Sequence, residues 1–252
     1  MTAGYQEFEF DLPGALLTHL VQVLDGMDAA PLDRPSLTEI PEAQGVYQLF
    51  LDGVLVYIGK TDAEAGLFRR LTRHSRKTMH RVGLSPERVT FKAVRIFVFT
   101  AIDLETQLIR HYTGSVGTAW NGSGFGSNDP GRKRDTSEPG RYDSDFPLDI
   151  DRALDANFTG ELSAADAIGR LNAALPYTLR VQSRAPRSRQ PHDDLVNAQV
   201  RVAASATTAR EILLDLTRQL PPGWQATALS ALLILYKEAK DDYPGATIIG
   251  RS

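Results

Sequence analysis

The sequence predicts a mixed α/β (α+β) chain: a small mixed or antiparallel sheet flanked by helices, with helical additions at both ends. Three observations carry this expectation. Two apolar runs, GVYQLF and VLVYIG, flank Asp52-Gly53, a strong short-range hairpin signal. RVTFKAVRIFVFT, residues 88 to 100, is rich in Val, Phe and Ile, as a half-buried strand requires. Around these lie segments whose leucines recur at helical spacing.

In chain order, Leu16, Leu17, Leu20, Val21 and Leu24 predict one amphipathic helix, so residues 1–40 read as an N-terminal helical leader. APLDRPS, residues 30 to 36, reads as a linker. The hairpin opens the central domain, expected over 41–150. LFRRLTRHSRK follows as a basic helix with Leu67, Leu71 and His74 on one side. After the strand at 88–100, Thr100 to Asp103 has capping-box spacing and opens the helix AIDLETQLIRHY. NGSGFGSNDPGRKRD, residues 121 to 135, is an irregular loop with a basic end. Residues 151–252 read as a helical C-terminal extension. Ser163-Ala-Ala-Asp166 and Thr208-Ala-Arg-Glu211 mark helix starts, and SRAPRSRQPHDD (183–194) an exposed linker. ATALSALLILYKEA (226–239) reads as a helix with Leu229, Leu232, Leu233 and Tyr236 on one stripe.

Bulk properties narrow the chemistry. With 252 residues, 42% hydrophobic and 23% charged, the composition is that of a globular protein. There is no cysteine, which excludes disulfides and cysteine-zinc sites and suits a reducing, cytoplasmic setting. MTAGYQEFEFDL lacks a basic region followed by an apolar run, so no signal peptide is expected. The formal net charge is only -3, but Gly45 to Arg141 holds 15 Lys/Arg against 9 Asp/Glu, while the remainder holds 13 against 22. A basic segment within an acidic chain points to a local polyanion site; the competing interpretation is a solvated basic face.

The central segment also carries a constellation. Gly45-Val46-Tyr47 and Tyr57-Ile58-Gly59 sit on the two hairpin strands, followed by Lys60. Arg70 and His74 come next on the basic helix, then Glu105 on the later helix and Asn121 in the loop. Singly, each has a bland explanation: strand tyrosines pack, helix arginines are solvated, a Glu early in a helix answers the dipole, and Asn-Gly turns. GSGFG at 122–126 follows a helix, not a strand, and lacks a Walker lysine, so it is not a nucleotide loop.

The ordered set resembles the GIY-YIG nuclease superfamily, named for those two tripeptides, over roughly residues 42–135. Val46 stands where the name has Ile. The His four residues after the Arg, together with WNGSGFGSNDPGRKRDT, is similar to the type II restriction endonuclease branch. The resemblance implies a Mg²⁺-dependent DNA endonuclease, with Mn²⁺ able to substitute and one ion per site held by Glu105. Phosphodiester hydrolysis needs an activated water and charge stabilisation at phosphorus, which these side chains could supply. By analogy, Tyr47 is the general base for water and Tyr57 contacts the phosphate or water network, two roles that could be exchanged. Lys60 would lower a phenol's pKa or hold the water, Arg70 and His74 would hold the phosphate, and Asn121 would orient Glu105 or a metal-bound water. Arg73, Arg132, Lys133 and Arg134 are candidate DNA contacts. The resemblance further implies double-stranded DNA with a short palindromic site, a homodimer on it, and a companion DNA methyltransferase. The C-terminal extension would brace the core, make the dimer or extend base readout. The alternatives are a GIY-YIG nuclease of repair or homing, or a DNA-binding protein with a dead core.

The hairpin makes one geometric demand. A plain two-residue Asp52-Gly53 turn would pair Gln48 with Tyr57 and send the tyrosines to opposite faces. Sharing a face requires a three-residue Leu51-Asp52-Gly53 loop, pairing Tyr47 with Tyr57, or an equivalent bulge.

Overall fold

Asp11 starts the first helix: its carboxylate accepts from the Gly14 N–H at 2.9 Å, ahead of α1 (Leu12–Gly26). A computed structural model describes residues 4–9, 11–62, 64–97, 104–126, 131–158, 160–186 and 188–252. It divides into two compact units, one of residues 1–75 and 86–121, the other of 76–85 and 122–252. The expected cuts near 40 and 150 are not where the chain divides.

The first unit is built on a four-stranded antiparallel sheet in the order β1-β4-β2-β3: β1 (Ala30–Pro31), β2 (Gly45–Leu51), β3 (Val54–Thr61) and β4 (Val89–Arg95). A short α2 (Arg34–Leu37), capped by Asp33, lies between β1 and β2. The segment taken for a linker thus contributes an edge strand, where Pro31 costs no ladder bond. Leu20, Val21 and Leu24 of α1 pack with Val46, Ile58 and Ile96 of the sheet region and with Leu104 and Leu108 of α4 (Leu104–Thr113). The leader helix is therefore part of this core. The expected capping box at 100–103 lies outside the described residues. On the other sheet face, α3 (Leu67–Thr78) buries Leu67, Leu71 and His74.

The second unit holds α5 (Arg141–Asp145), β5 (Leu162–Ser163), α6 (Ala164–Ala174), β6 (Leu179–Val181), α7 (Asp193–Asn197), β7 (Gln199–Val200), α8 (Ala209–Gln219), β8 (Trp224–Ala228), β9 (Leu233–Lys237) and β10 (Thr247–Arg251). Ser163 and Thr208 cap α6 and α8 as their sequences predict, the latter in a complete capping box. The helix expected over 226–239 is instead the strand pair β8–β9, centre of the sheet β10-β8-β9-β6. One face of that sheet packs Trp224, Ala226, Leu233 and Leu235 against Ile168, Leu171, Leu213 and Leu216; the other buries Ile234 and Tyr236 with Leu229, Leu232 and Tyr243. Strand β9, LILYK, is covered on both faces and carries apolar or aromatic residues at its first four positions, so its pattern does not distinguish it from a buried helix. The C-terminal region is therefore α+β, not helical. Among the described residues, no helix is long and apolar enough to cross a membrane.

Candidate functional site

The hairpin turns on Asp52 and Gly53, both at positive φ (51° and 80°), the two-residue geometry that Asp-Gly favours. Leu51 pairs with Val54 and Phe50 with Leu55, but Leu49 pairs with Tyr57. Val56 is the extra residue, a bulge in β3, and its carbonyl accepts from the Trp120 N–H at 2.8 Å. The bulge moves Tyr57 one position and puts it on the face of Tyr47. The tyrosines lie on a diagonal rather than opposite each other: Tyr47 faces Gly59, and the ring centroids are 6.0 Å apart.

Both flanking glycines have steric causes. A Cβ on Gly59 would lie 2.3 Å from the Tyr47 hydroxyl and 2.4 Å from Cζ, so the ring crosses β3 only because that position is bare. A Cβ on Gly45 would meet the Val94 carbonyl at 2.3 Å and Leu67 Cδ1 at 2.7 Å.

Helix α3 supplies the next layer. His74 lies 5.5 and 5.3 Å from the Tyr47 and Tyr57 rings, and its Nε2 shares a hydrogen with the Tyr47 hydroxyl at 2.7 Å. Tyr47 and His74 are buried, at 0% and 2% exposure. Burial pushes the Tyr47 phenol strongly up, Tyr57 reinforces this, and the Arg70 guanidinium opposes it. Tyr57 is raised by burial and then by the field of Glu105, with Arg70 again opposing. Neither phenol rests as an anion.

Beside this buried trio opens a cleft of about 310 Å³, lined by Gln44, Lys60, Thr61, Asp62, Arg70 and Glu105. Lys60, Arg70 and Glu105, expected to converge, do so although they come from β3, α3 and α4. The buried Arg70 Nε has no hydrogen-bond partner among the described residues, a donor suited to an anionic ligand. Gln44, Thr61 and Asp62 belong to the cleft without having been expected there. Asp62 accepts from the Ala65 N–H at 2.7 Å, a turn that TDAEA could have signalled but that says nothing of a cleft.

Asn121 does something other than expected. Its Oδ1 accepts from the Ile58 N–H at 2.9 Å and from the Thr118 hydroxyl, and its Nδ2 donates to the Ile58 carbonyl at 2.8 Å. It pairs with edge strand β3 as a neighbouring strand would, between Tyr57 and Gly59, and does not line the cleft. Asn121 is thus a positioning residue for β3, not a partner of Glu105.

Among the basic candidates, Arg73 is exposed on α3. In the second unit, Arg132 and Lys133 are exposed, Arg132 lying over the Tyr236 ring at 4.0 Å and donating to Gln182 at 3.1 Å. Arg134 is instead drawn inward to pair with fully buried Asp143, which Arg81 also holds at 3.0 Å. Its charge is committed to the fold.

Among the described residues, no three or more His, Asp and Glu side chains cluster as a closed metal cage. The open cleft with its Glu105 and Asp62 carboxylates fits a hard divalent ion that keeps water and substrate oxygens as its other ligands. No protein-family model matches the chain, and no curated protein matches it in a sequence comparison.

Proposed function

We propose that the chain is a Mg²⁺-dependent DNA endonuclease of the GIY-YIG type, acting as a type II restriction enzyme. The observation that carries the proposal is the convergence of Lys60, Arg70 and Glu105 on one open cleft, backed by the buried Tyr47–His74 pair. The Arg70 guanidinium holds a non-bridging phosphate oxygen, and Lys60 adds positive charge beside it. Water in the cleft attacks phosphorus and gives its proton to solvent; Tyr47, expected as the base, and His74, expected at the phosphate, lie buried outside the cleft lining and pair with each other. The new P–O bond forms as the bond to the leaving oxygen breaks, and that oxygen takes a proton from solvent. Glu105, with Asp62 at the rim, would hold a divalent ion, whose chemistry is to neutralise charge on the phosphate and the leaving oxygen.

One site cuts one strand, so a double-strand break asks for two copies on two-fold DNA. Such an enzyme needs a companion methyltransferase to protect its host. The test is digestion of unmethylated genomic DNA with Mg²⁺. Discrete fragments are expected; a random smear would point to a general nuclease, and binding without cutting to a DNA-binding protein. Glu105→Gln should lower cleavage by about 10²-fold or more, in line with loss of an essential electrostatic group, and leave duplex binding intact. Full cleavage by that variant would remove Glu105 from the chemistry.

A further inference from the structure

We propose that Arg95 and Phe97, at the end of β4, form a second contact for the DNA strand, flanking the cleft; this rests on the nuclease function proposed above. Three observations converge on the pair. Phe97 is 78% exposed, so its ring adds little to the core. The Arg95 guanidinium lies over that ring, 4.3 Å from its centroid. Arg95 is itself exposed and makes no ion pair among the described residues. An arginine that stacks on an aromatic ring with no acid beside it keeps its planar fork available for a phosphate.

Strand register places the pair beside the cleft. Gly45 faces Thr61 on one side and Arg95 on the other. Cross-strand partners share a face, so Arg95 stands in the row of Thr61 and on the face of Tyr47. The Ile96 N–H donates to the Gln44 carbonyl at 3.1 Å, and both Gln44 and Thr61 line the cleft. Two strand spacings, about 10 Å, separate Thr61 from Arg95. That is about three nucleotide steps along a duplex axis. The cleft adds two further cations, Lys60 and Arg70, beside the Glu105 and Asp62 carboxylates. A strand with its scissile phosphate at Arg70 would set a phosphate about three steps along at Arg95 and a sugar or base edge against Phe97. This is the combination of charge and ring that nucleic-acid strands favour.

The experiment measures binding of the full chain to a labelled 30-base-pair mixed-sequence duplex across a salt series, without divalent ions. Arg95→Ala should weaken binding about tenfold and flatten the plot of log affinity against log salt by about one unit. Arg95→Lys should restore the slope but only part of the affinity. Phe97→Ala should weaken binding about fivefold with an unchanged slope, because it removes contact area and no charge. If wild type binds and cuts DNA while Arg95→Ala and Phe97→Ala bind as wild type does, the inference fails and the nuclease function stands. If Phe97→Ala changes only the sedimenting mass, the face belongs to a second copy of the chain and the inference is likewise overturned. If wild type neither binds nor cuts DNA, both fall together.

Discussion

Replacing Gly59 by Ala tests the packing that seats the first tyrosine. The added methyl would come within 2.3 Å of the Tyr47 hydroxyl, 2.4 Å of its Cζ and 2.8 Å of Tyr57 Cε1. Tyr47 has 0% exposure, so its ring has no solvent to retreat into. Overpacking of this kind costs about 1–3 kcal/mol. Breaking the Tyr47–His74 hydrogen bond adds about 1 kcal/mol. Removing a glycine from a strand returns about 0.5–1 kcal/mol. The net expectation is a loss of about 1–3 kcal/mol. The chain has two tryptophans, one in each unit, so Trp224→Phe leaves buried Trp120 as a reporter of the first unit alone. In that background, urea unfolding followed by tryptophan fluorescence gives the shift directly. Adding Tyr47→Phe should not rescue, because Cζ still clashes; adding Tyr47→Leu should rescue most of the loss, because the two closest crowding atoms are gone and only Tyr57 Cε1, at 2.8 Å, remains. A Gly59→Ala protein as stable as its parent, or a loss merely additive with Tyr47→Leu, would refute the steric account.

Asn121→Asp keeps the acceptor for Ile58 N–H but loses the donor to its carbonyl, so the first unit should lose about 1–3 kcal/mol, read by the same Trp120 signal. Asp143→Asn leaves Arg81 and Arg134 without their shared counter-charge in a buried setting; a loss of about 3–5 kcal/mol is expected, read from Trp224 in a Trp120→Phe background. Burial, aided by the hydrogen bond to Asp135, pushes the Tyr236 phenol up to about 12, so between pH 10 and 12 the unfolded chain sheds a proton that the folded chain keeps. Stability should therefore fall as pH rises through that window, and Tyr236→Phe should make the fall shallower; an unchanged slope by urea titration would contradict this.

What the sequence made legible was local. Asp52-Gly53 announces its turn because few other residue pairs tolerate two positive φ values in succession. Ser163 and Thr208 announce their helices through side-chain caps that act within three residues. The need for an irregularity in the hairpin was also readable, since the tyrosines could share a face only if the count of residues between them was corrected. That the correction sits at Val56 was not, because nothing in VLVYIG marks one valine as unpaired; its carbonyl is satisfied by Trp120, far along the chain. The pairing of Asn121 with Ile58 is hidden for a similar reason. An amide suits a ligand or a backbone equally well, and only the open edge of β3 decides between them. Strand β9 is not legible because two cores, one on each face, remove the alternation from LILY, whereas β8 does alternate, with Gln225 and Thr227 between Trp224, Ala226 and Ala228, over a stretch too short to stand out.

The bulge at Val56 has a consequence for how this hairpin can vary. Removing one residue from β3, or adding one to the turn, reverses the parity of everything beyond it and carries Tyr57 to the face occupied by α1 and α4. Removing or adding two restores it. Length changes between Tyr47 and Tyr57 are therefore tolerable only in even numbers, whatever the residues themselves are.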